Sequence, residues 1–407
     1  MKVRLVALAA VGSLAAAMLA GVASGAGGKT VDLYSSLPLQ GASKAQTGAL
    51  ANGIKLALAQ AHNRAGQVTI KFQSLDDSTA QAGNWDPGKT AQNARKVAGD
   101  KAAVGYIGEF NSGATEVSLP ILNQAGIPQV SPANTYVGLT TSEPGSAPGE
   151  PQKYYPTGKR TYMRIVPRDT IQAAALLGLM KQNGCKNVAL TNDKDTYGAG
   201  LARLIQLQAG KKGVHLLGNE GIDKTAANYR GLAATFKSQN ADCFMFAGVT
   251  ANGAVQLYKD VNAALPNARL YGGDGVCESG LTNPAQKGIP AAVGRHFQCT
   301  VATQNLQAYP GGKRFLSAYN AKFHNAHPDP YAIYGYEAGS LFIDTLKRLG
   351  AKATNRAAVL NALFHTKNRK SVLGTYSFDK NGDTTLTAYG VYKVGSDGNP
   401  TFEKSVK

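Results

Sequence analysis

The residues of this chain whose types and spacing could do chemistry are small hydroxyl and acidic side chains, and they fall just after short apolar runs. Phe110-Asn111-Ser112-Gly113-Ala114-Thr115 leaves one such run and enters a helical pattern. Ser112 there offers a carboxylate both a hydroxyl and a helix-terminal N–H. Ser131-Pro132-Ala133-Asn134-Thr135 does the same after the next run. Further along, Asp195-Thr196-Tyr197-Gly198 opens a helix, and Gly272-Gly273-Asp274-Gly275 follows the apolar Leu270. Taken singly, each is an ordinary N-cap or turn. Together they complement a zwitterion, with donors for a carboxylate in one half of the chain and Asp274 for an ammonium in the other.

Other patterns suggest chemistry and lose it in context. Gly83-Asn84-Trp85-Asp86-Pro87-Gly88-Lys89-Thr90 satisfies the phosphate-loop spacing, but the loop does not follow its strand directly, and Trp85 and Pro87 occupy the curl. The plainer reading makes Asp86 a helix N-cap and Pro87 the first helical residue. Asp379-x-Asn381-x-Asp383 begins like a calcium loop, yet its sixth and twelfth positions are Thr384 and Gly390 where Gly and Glu are needed. It reads as a turn. His324, His327 and Asp329 lack a clear further ligand, so no metal and no cofactor are expected. The acid pairs Asp76-Asp77 and Asp193-x-Asp195 sit at strand ends, where caps and turns are commoner than acid–base catalysis, and G-x-S-x-G, HExxH and GxGxxG are absent. No enzyme is expected.

The elements that must position the strand-end residues alternate. Apolar runs at 31–37, 68–75, 104–110 and 128–131 are separated by helical patterns at 43–63, 87–98 and 112–124, which implies a parallel sheet covered on both faces. Residues 138–159 hold too many prolines for regular structure and form an ordered surface loop or crossover. Alternation resumes with runs at 162–166, 188–191, 214–220, 243–248, 270–273 and 296–302 and helices at 171–182, 198–209, 227–238 and 254–263, giving a second parallel sheet. Three helices at 313–324, 331–349 and 356–364 and a hairpin turn at 379–383 remain. Returning the chain to the first lobe near Gln304 and back near Leu386 makes three crossings, a hinge that permits closure and resists twist. The expected fold is therefore α/β, two doubly wound parallel-sheet lobes joined by a three-segment hinge. Lobe 1 would comprise 26–162 and 304–385, and lobe 2 163–303 and 386–407. Two such sheets facing each other form a cleft at the carboxyl ends of their strands, where ligands bind.

The first 25 residues, with Lys2 and Arg4, an uncharged Ala/Leu/Val/Met run and small residues near Ala23-Ser24-Gly25, read as a secretory signal peptide. No Cys precedes Cys185, so no lipid attachment point is expected, and the protein should be exported and soluble, periplasmic or at the cell envelope. The net charge of +18 is spread in single cations and doublets such as Lys159-Arg160, with only Lys367, Arg369 and Lys370 approaching a cluster. That dispersion argues against nucleic acid as a partner. Cys185, Cys243, Cys277 and Cys299 form no CxxC pair, and export favours two disulfides within one lobe. Four cysteines allow three connectivities; the pairing to be tested is Cys185 with Cys243 and Cys277 with Cys299.

With these features in place, nearly the whole chain after the leader resembles the periplasmic binding proteins of branched-chain amino-acid ABC importers, which have the type I periplasmic binding fold. The likeness is carried by Gly53-Ile54-Lys55-Leu56-Ala57, Asp76-Asp77, Tyr106-Ile107-Gly108, Ser131-Pro132-Ala133-Asn134-Thr135, Asp193-Lys194-Asp195-Thr196-Tyr197-Gly198-Ala199-Gly200, Gly272-Gly273-Asp274-Gly275, and Phe378-Asp379 before Asn381-Gly382-Asp383. The resemblance implies that Ser112, Ala133 and Thr135 hold a ligand's carboxylate and α-amino group, with Asn111 and Asn134 beside them. Tyr197 would close over the ligand from lobe 2 and Asp274 would accept the ammonium. It also implies a permease as partner for a monomeric binding protein. Val249 and Gln46 stand where relatives can place aromatics, so both are candidate contacts to the ligand's side chain. Asp274 is one methylene shorter than the Glu of the typical member, and the disulfide that relatives carry in lobe 1 is missing.

Overall fold

The computed structural model describes residues 28–406 together with Met1; the leader read over residues 1–25 lies, Met1 apart, outside them. The first sheet has six strands in the order Arg64–Ala65, Val68–Asp76, Thr30–Leu37, Ala103–Ile107, Gln129–Ser131, Tyr162–Arg164. All its pairings are parallel except the two-residue edge strand. The strand Ala103–Ile107 is buried along its whole length, as a parallel strand covered on both faces must be.

The second sheet has eight strands. Its parallel centre runs Asn187–Asn192, Cys243–Ala247, Arg269–Gly272, Phe297–Val301, and the chain's last two strands, Tyr389–Val394 and Pro400–Val406, extend it antiparallel. The run read at 214–220 is two short pieces, His215–Leu216 and Glu220–Gly221, each beside Asn187–Asn192.

One lobe boundary needs correction. The run beginning at Tyr162 is expected in the second lobe from residue 163, but Tyr162–Arg164 pairs residue for residue with Gln129–Ser131 and closes the first sheet. The first crossing therefore follows Arg164. Arg164 is fully buried at that crossing, and its Nε lies 2.6 Å from Asp383 Oδ1, while Nη1 donates to the Tyr136 carbonyl at 2.7 Å. The Asp379–Asp383 turn is thus spent on structure: Asp383 ties the third crossing to the first, and Asp379 Oδ1 accepts the N–H of Asn381 and of Asp383.

The helix Ala332–Leu349, from the returning segment, packs on Lys44–Gln60 of the first lobe. A Cβ at Gly53 would lie 2.0 Å from the Ala332 carbonyl oxygen and one at Gly335 2.0 Å from that of Leu50, so glycine at these two places lets the helices touch backbone to backbone. The proline-rich segment 138–159 is an ordered crossover cover. Tyr154 and Tyr155 are buried, and a Cβ at Gly145 would meet Leu204 of the second lobe's helix Thr196–Lys212 at 2.7 Å. Both disulfides form as Cys185–Cys243 and Cys277–Cys299, within the second sheet's layers.

Candidate functional site

The crevice between the lobes is built from chain segments that leave parallel strands at their carboxyl ends, where the geometry of an open sheet exposes loop and helix N–H groups. From the first lobe, the strand ending at Ile107 runs into Phe110 and Asn111, and Ser112 opens the helix Ser112–Gln124. Asn111 is the N-cap with extended backbone, but its side chain makes no capping bond and its buried Oδ1 has no partner. The first N–H groups of the helix are thus left for another acceptor. After Gln129–Ser131, the Ser131 hydroxyl accepts the N–H of Ala133 at 3.1 Å and of Asn134 at 2.8 Å, turning the chain so that Ala133 and Thr135 line the crevice.

From the second lobe come Tyr197, Val249, Asp274 and Gly275. The helix Thr196–Lys212 begins one residue before Tyr197, which places the phenol over the cleft. Val249 is fixed by its N–H, which donates to Asp193 Oδ2 at 3.0 Å. The same carboxylate oxygen accepts Asn252 Nδ2 at 2.8 Å. Asp193, an acid weighed for catalysis, is therefore a buried clamp, its carboxyl pushed up to about 7 by burial and then by the neighbouring charge of Asp195. Gly275 is constrained: a Cβ would lie 2.6 Å from the Gly248 carbonyl oxygen and 2.9 Å from the Tyr197 ring.

Asp274 is the charged centre of the crevice. Tyr197 donates its hydroxyl to Oδ1 at 2.5 Å, and Tyr331, from the opposite lobe, donates to Oδ2 at 2.6 Å. Burial raises the Asp274 carboxyl above its ordinary range, and the hydrogen bonds of Tyr197 and Tyr331 only partly offset that. Behind it, Asp169 is completely buried with no hydrogen bond to either carboxylate oxygen. Its carboxyl is pushed well up, by burial first and by the charge of Asp274 second. Two buried carboxyls near one space, facing a wall of hydroxyl and N–H donors, suit a group that is cationic at one point and anionic at another. The crevice holds about 20 Å³, room for a water but not for an amino acid.

Seven of the nine candidate residues meet at this crevice: Asn111, Ser112, Ala133, Thr135, Tyr197, Val249 and Asp274. Asn134 and Gln46 do not. The Asn134 amide donates to the Phe110 carbonyl at 2.7 Å, and its oxygen takes the hydroxyls of Thr115 and Tyr162, so it braces the two strand ends against each other. Gln46 sits in the first turn of Lys44–Gln60, 1% exposed and outside the crevice lining. Phe110 and Tyr331 line the crevice and were missed. Their rings meet edge to face at 6.1 Å. Phe110 stands directly before Asn111 and follows from the strand-end rule; Tyr331 enters from a distant segment with no local signal.

The remaining motifs take plain roles. Asp86 caps its helix by accepting the Lys89 N–H at 2.8 Å with Pro87 in the first turn, and the Trp85 ring lies against Gly113. Among the described residues, no group of three or more His, Cys, Asp or Glu side chains is placed to hold a metal, and no helix is long and apolar enough to cross a membrane.

Comparison with known proteins agrees with this fold. The Leu/Ile/Val-binding protein BraC3 of Rhizobium johnstonii is 26% identical over 359 residues, covering 88% of this chain and 89% of that protein. Among solved structures, a leucine-binding protein of Thermotoga maritima superposes with a TM-score of 0.78 at 20% identity, covering 92% of this chain and 98% of that one. A solute-binding protein of an ABC transporter from R. palustris, solved in complex with benzoate, superposes with a TM-score of 0.75 at 17% identity over 92% of this chain and 96% of its own. The family model described as periplasmic binding protein matches residues 35–399, through both lobes and all three crossings. The chain therefore belongs to the periplasmic binding protein family, as a solute-binding protein and not an enzyme.

Proposed function

We propose that this protein captures an α-amino acid or a close analogue in the interlobe crevice and delivers it, as an exported monomer, to the permease of an ABC importer. The observation that carries this reading is the opposition of Ser112 and Thr135 on one lobe to Asp274 on the other, with Asp169 as a second buried acid behind it. A carboxylate would take the Ser112 hydroxyl and the free N–H groups of its helix, while an ammonium would replace a tyrosine hydroxyl at Asp274. Only the closed form satisfies both ends at once, so binding draws an open–closed equilibrium toward closure.

A thermal-shift screen of amino acids, short amides and aromatic acids tests it, because a ligand bound only by the folded state raises the melting temperature. Stabilisation by free α-amino acids, lost when the amino group is acetylated, is the expected result. The benzoate-bound relative favours a second reading, a receptor for a small organic acid or amide. An aromatic acid leaves Asp274 and Asp169 without a cation, so stabilisation by benzoate and by no amino acid would replace the first reading with this one.

A further inference from the structure

Further buried polar side chains lie close in sequence to the lining of the crevice. Three of its lining residues, Val249, Gly275 and Tyr331, are followed or preceded within three positions by polar side chains that meet at the seam between the lobes: Thr250, Glu278 and Asp329. Glu278, on the second lobe, is fully buried; its Oε1 accepts the hydroxyl of Ser43 from the first lobe at 3.2 Å, and its Oε2 has no partner. Gln46, one turn into the first lobe's opening helix, is 1% exposed, with neither its amide nitrogen nor its oxygen in a well-directed hydrogen bond. It lies beside Asp329, which in turn faces Glu278. No ion pair to either acid occurs among the described residues. Burial, and then the Asp329 charge, push the Glu278 carboxyl up to about 8 despite help from the Thr250 hydroxyl. On its outer side the seam opens into a groove of about 400 Å³ lined by Asp329, Ala45 and Ser279, drawn from both lobes.

Folded proteins seldom leave buried side-chain atoms unpaired, and where they do, a bound group commonly completes them. An aliphatic side chain would leave Glu278 Oε2 and the Gln46 amide oxygen unsatisfied and would seal them from water. We propose that the solute bound in the crevice has a side chain ending in N–H donors, an amide, ammonium or guanidinium, which reaches Glu278 and Gln46 in the seam beyond Val249 and Tyr331. This rests on the amino-acid reading above and narrows it from the branched-chain class to amino acids with a polar nitrogenous end. The head group stays with Ser112, Thr135 and Asp274, and the seam decides the side chain.

Calorimetry of the full chain with glutamine, arginine, lysine and leucine tests the proposal, with the variants Glu278→Gln and Gln46→Leu. At least one nitrogenous amino acid should bind ten times or more tightly than leucine. Glu278→Gln should weaken that ligand tenfold or more if it is cationic. Gln46→Leu should weaken an amide or a cation while leaving leucine unchanged or improved. A single cooperative unfolding transition and an unchanged far-ultraviolet circular dichroism spectrum in each variant would show that folding is intact. If leucine binds as tightly as every nitrogenous amino acid, or neither variant changes the ranking, the seam is a solvated joint and the proposal fails while the amino-acid reading stands. Binding of no amino acid at all would overturn the reading on which the proposal rests.

Discussion

Asp274 and Glu278 lie four positions apart on one short stretch of the second lobe, both buried, both touched from the first lobe, yet their surroundings differ. Asp274 has a tyrosine hydroxyl on each oxygen. Glu278 has the Ser43 hydroxyl on one oxygen, the Thr250 hydroxyl beside it, and no well-directed hydrogen bond to Oε2. A carboxylate with both oxygens satisfied is ready to exchange a hydroxyl for a cation at small cost. One with a bare buried oxygen carries a desolvation penalty of about 1 to 3 kcal/mol until something completes it. The difference separates a site whose closed form is self-consistent from one whose closed form is unfinished. Between the two acids stands Cys277, bonded to Cys299 on the neighbouring strand, which fixes both to the same rigid layer.

The largest effect that would break this comparison is expected from Asp274→Ala. Leaving a ligand ammonium buried and unpaired should cost about 2 to 5 kcal/mol of binding free energy, read by calorimetry as at least a tenfold weaker dissociation constant. An unchanged constant would remove Asp274 from the site. Next comes the shared anchor: replacing Cys277 and Cys299 together by Ser should lower unfolding stability in denaturant by about 3 kcal/mol, as expected for a loop of this length. If Asp274 and Glu278 act from one rigid layer, affinity should fall with it. Tyr331→Phe removes the hydroxyl that reaches Asp274 across the lobes. The closed form should lose about 1.5 to 3 kcal/mol, the range for a hydrogen bond to a charged group, seen as a larger radius of gyration of the ligand-free protein in solution scattering.

The smallest effect is a pH dependence. Because Glu278 titrates at about 8 in the fold against an ordinary value of 4.5, the folded state holds a proton that the unfolded state releases. Its stabilising contribution is complete below about pH 4.5 and is lost as pH rises toward about 8. The melting temperature of the ligand-free protein should therefore fall between pH 5 and pH 8.5, and less steeply in Glu278→Gln. Glu109 and Asp193, both raised to about 7 by burial, act in the same sense, so the slope should shrink without vanishing.

Much of the crevice was legible along the chain because its parts are local. Asn111, Ser112 and Asp274 each follow a short apolar run within a few residues, and Tyr197 stands at the start of a helix, so alternation of strand and helix was enough to find them. Tyr331 was not legible, since nothing near it in sequence marks an aromatic that will cross to Asp274. Asn134 stands in the same motif as Ala133 and Thr135, but a side-chain amide beside three acceptors and donors of its own lobe is drawn into bracing. Gln46, a candidate contact to the ligand's side chain, stands outside the crevice lining and beside Asp329, a neighbour from far along the chain that no local pattern announces.

By itself the sequence determined the class of the fold, the strand-end positions able to grip a charged head group, and the plain roles of Asp86 and of the Asp379–Asp383 turn. Each depends on periodicity, capping and turn chemistry, which act over a few residues. The tertiary structure alone decided that Tyr162–Arg164 closes the first sheet, that segment 138–159 reaches the helix of the opposite lobe, and that Ser43 and Glu278 bond across the seam. A fully buried strand reads the same in either sheet, and partners hundreds of residues apart share no local pattern. Only the packing of one lobe against the other brings them within bonding distance.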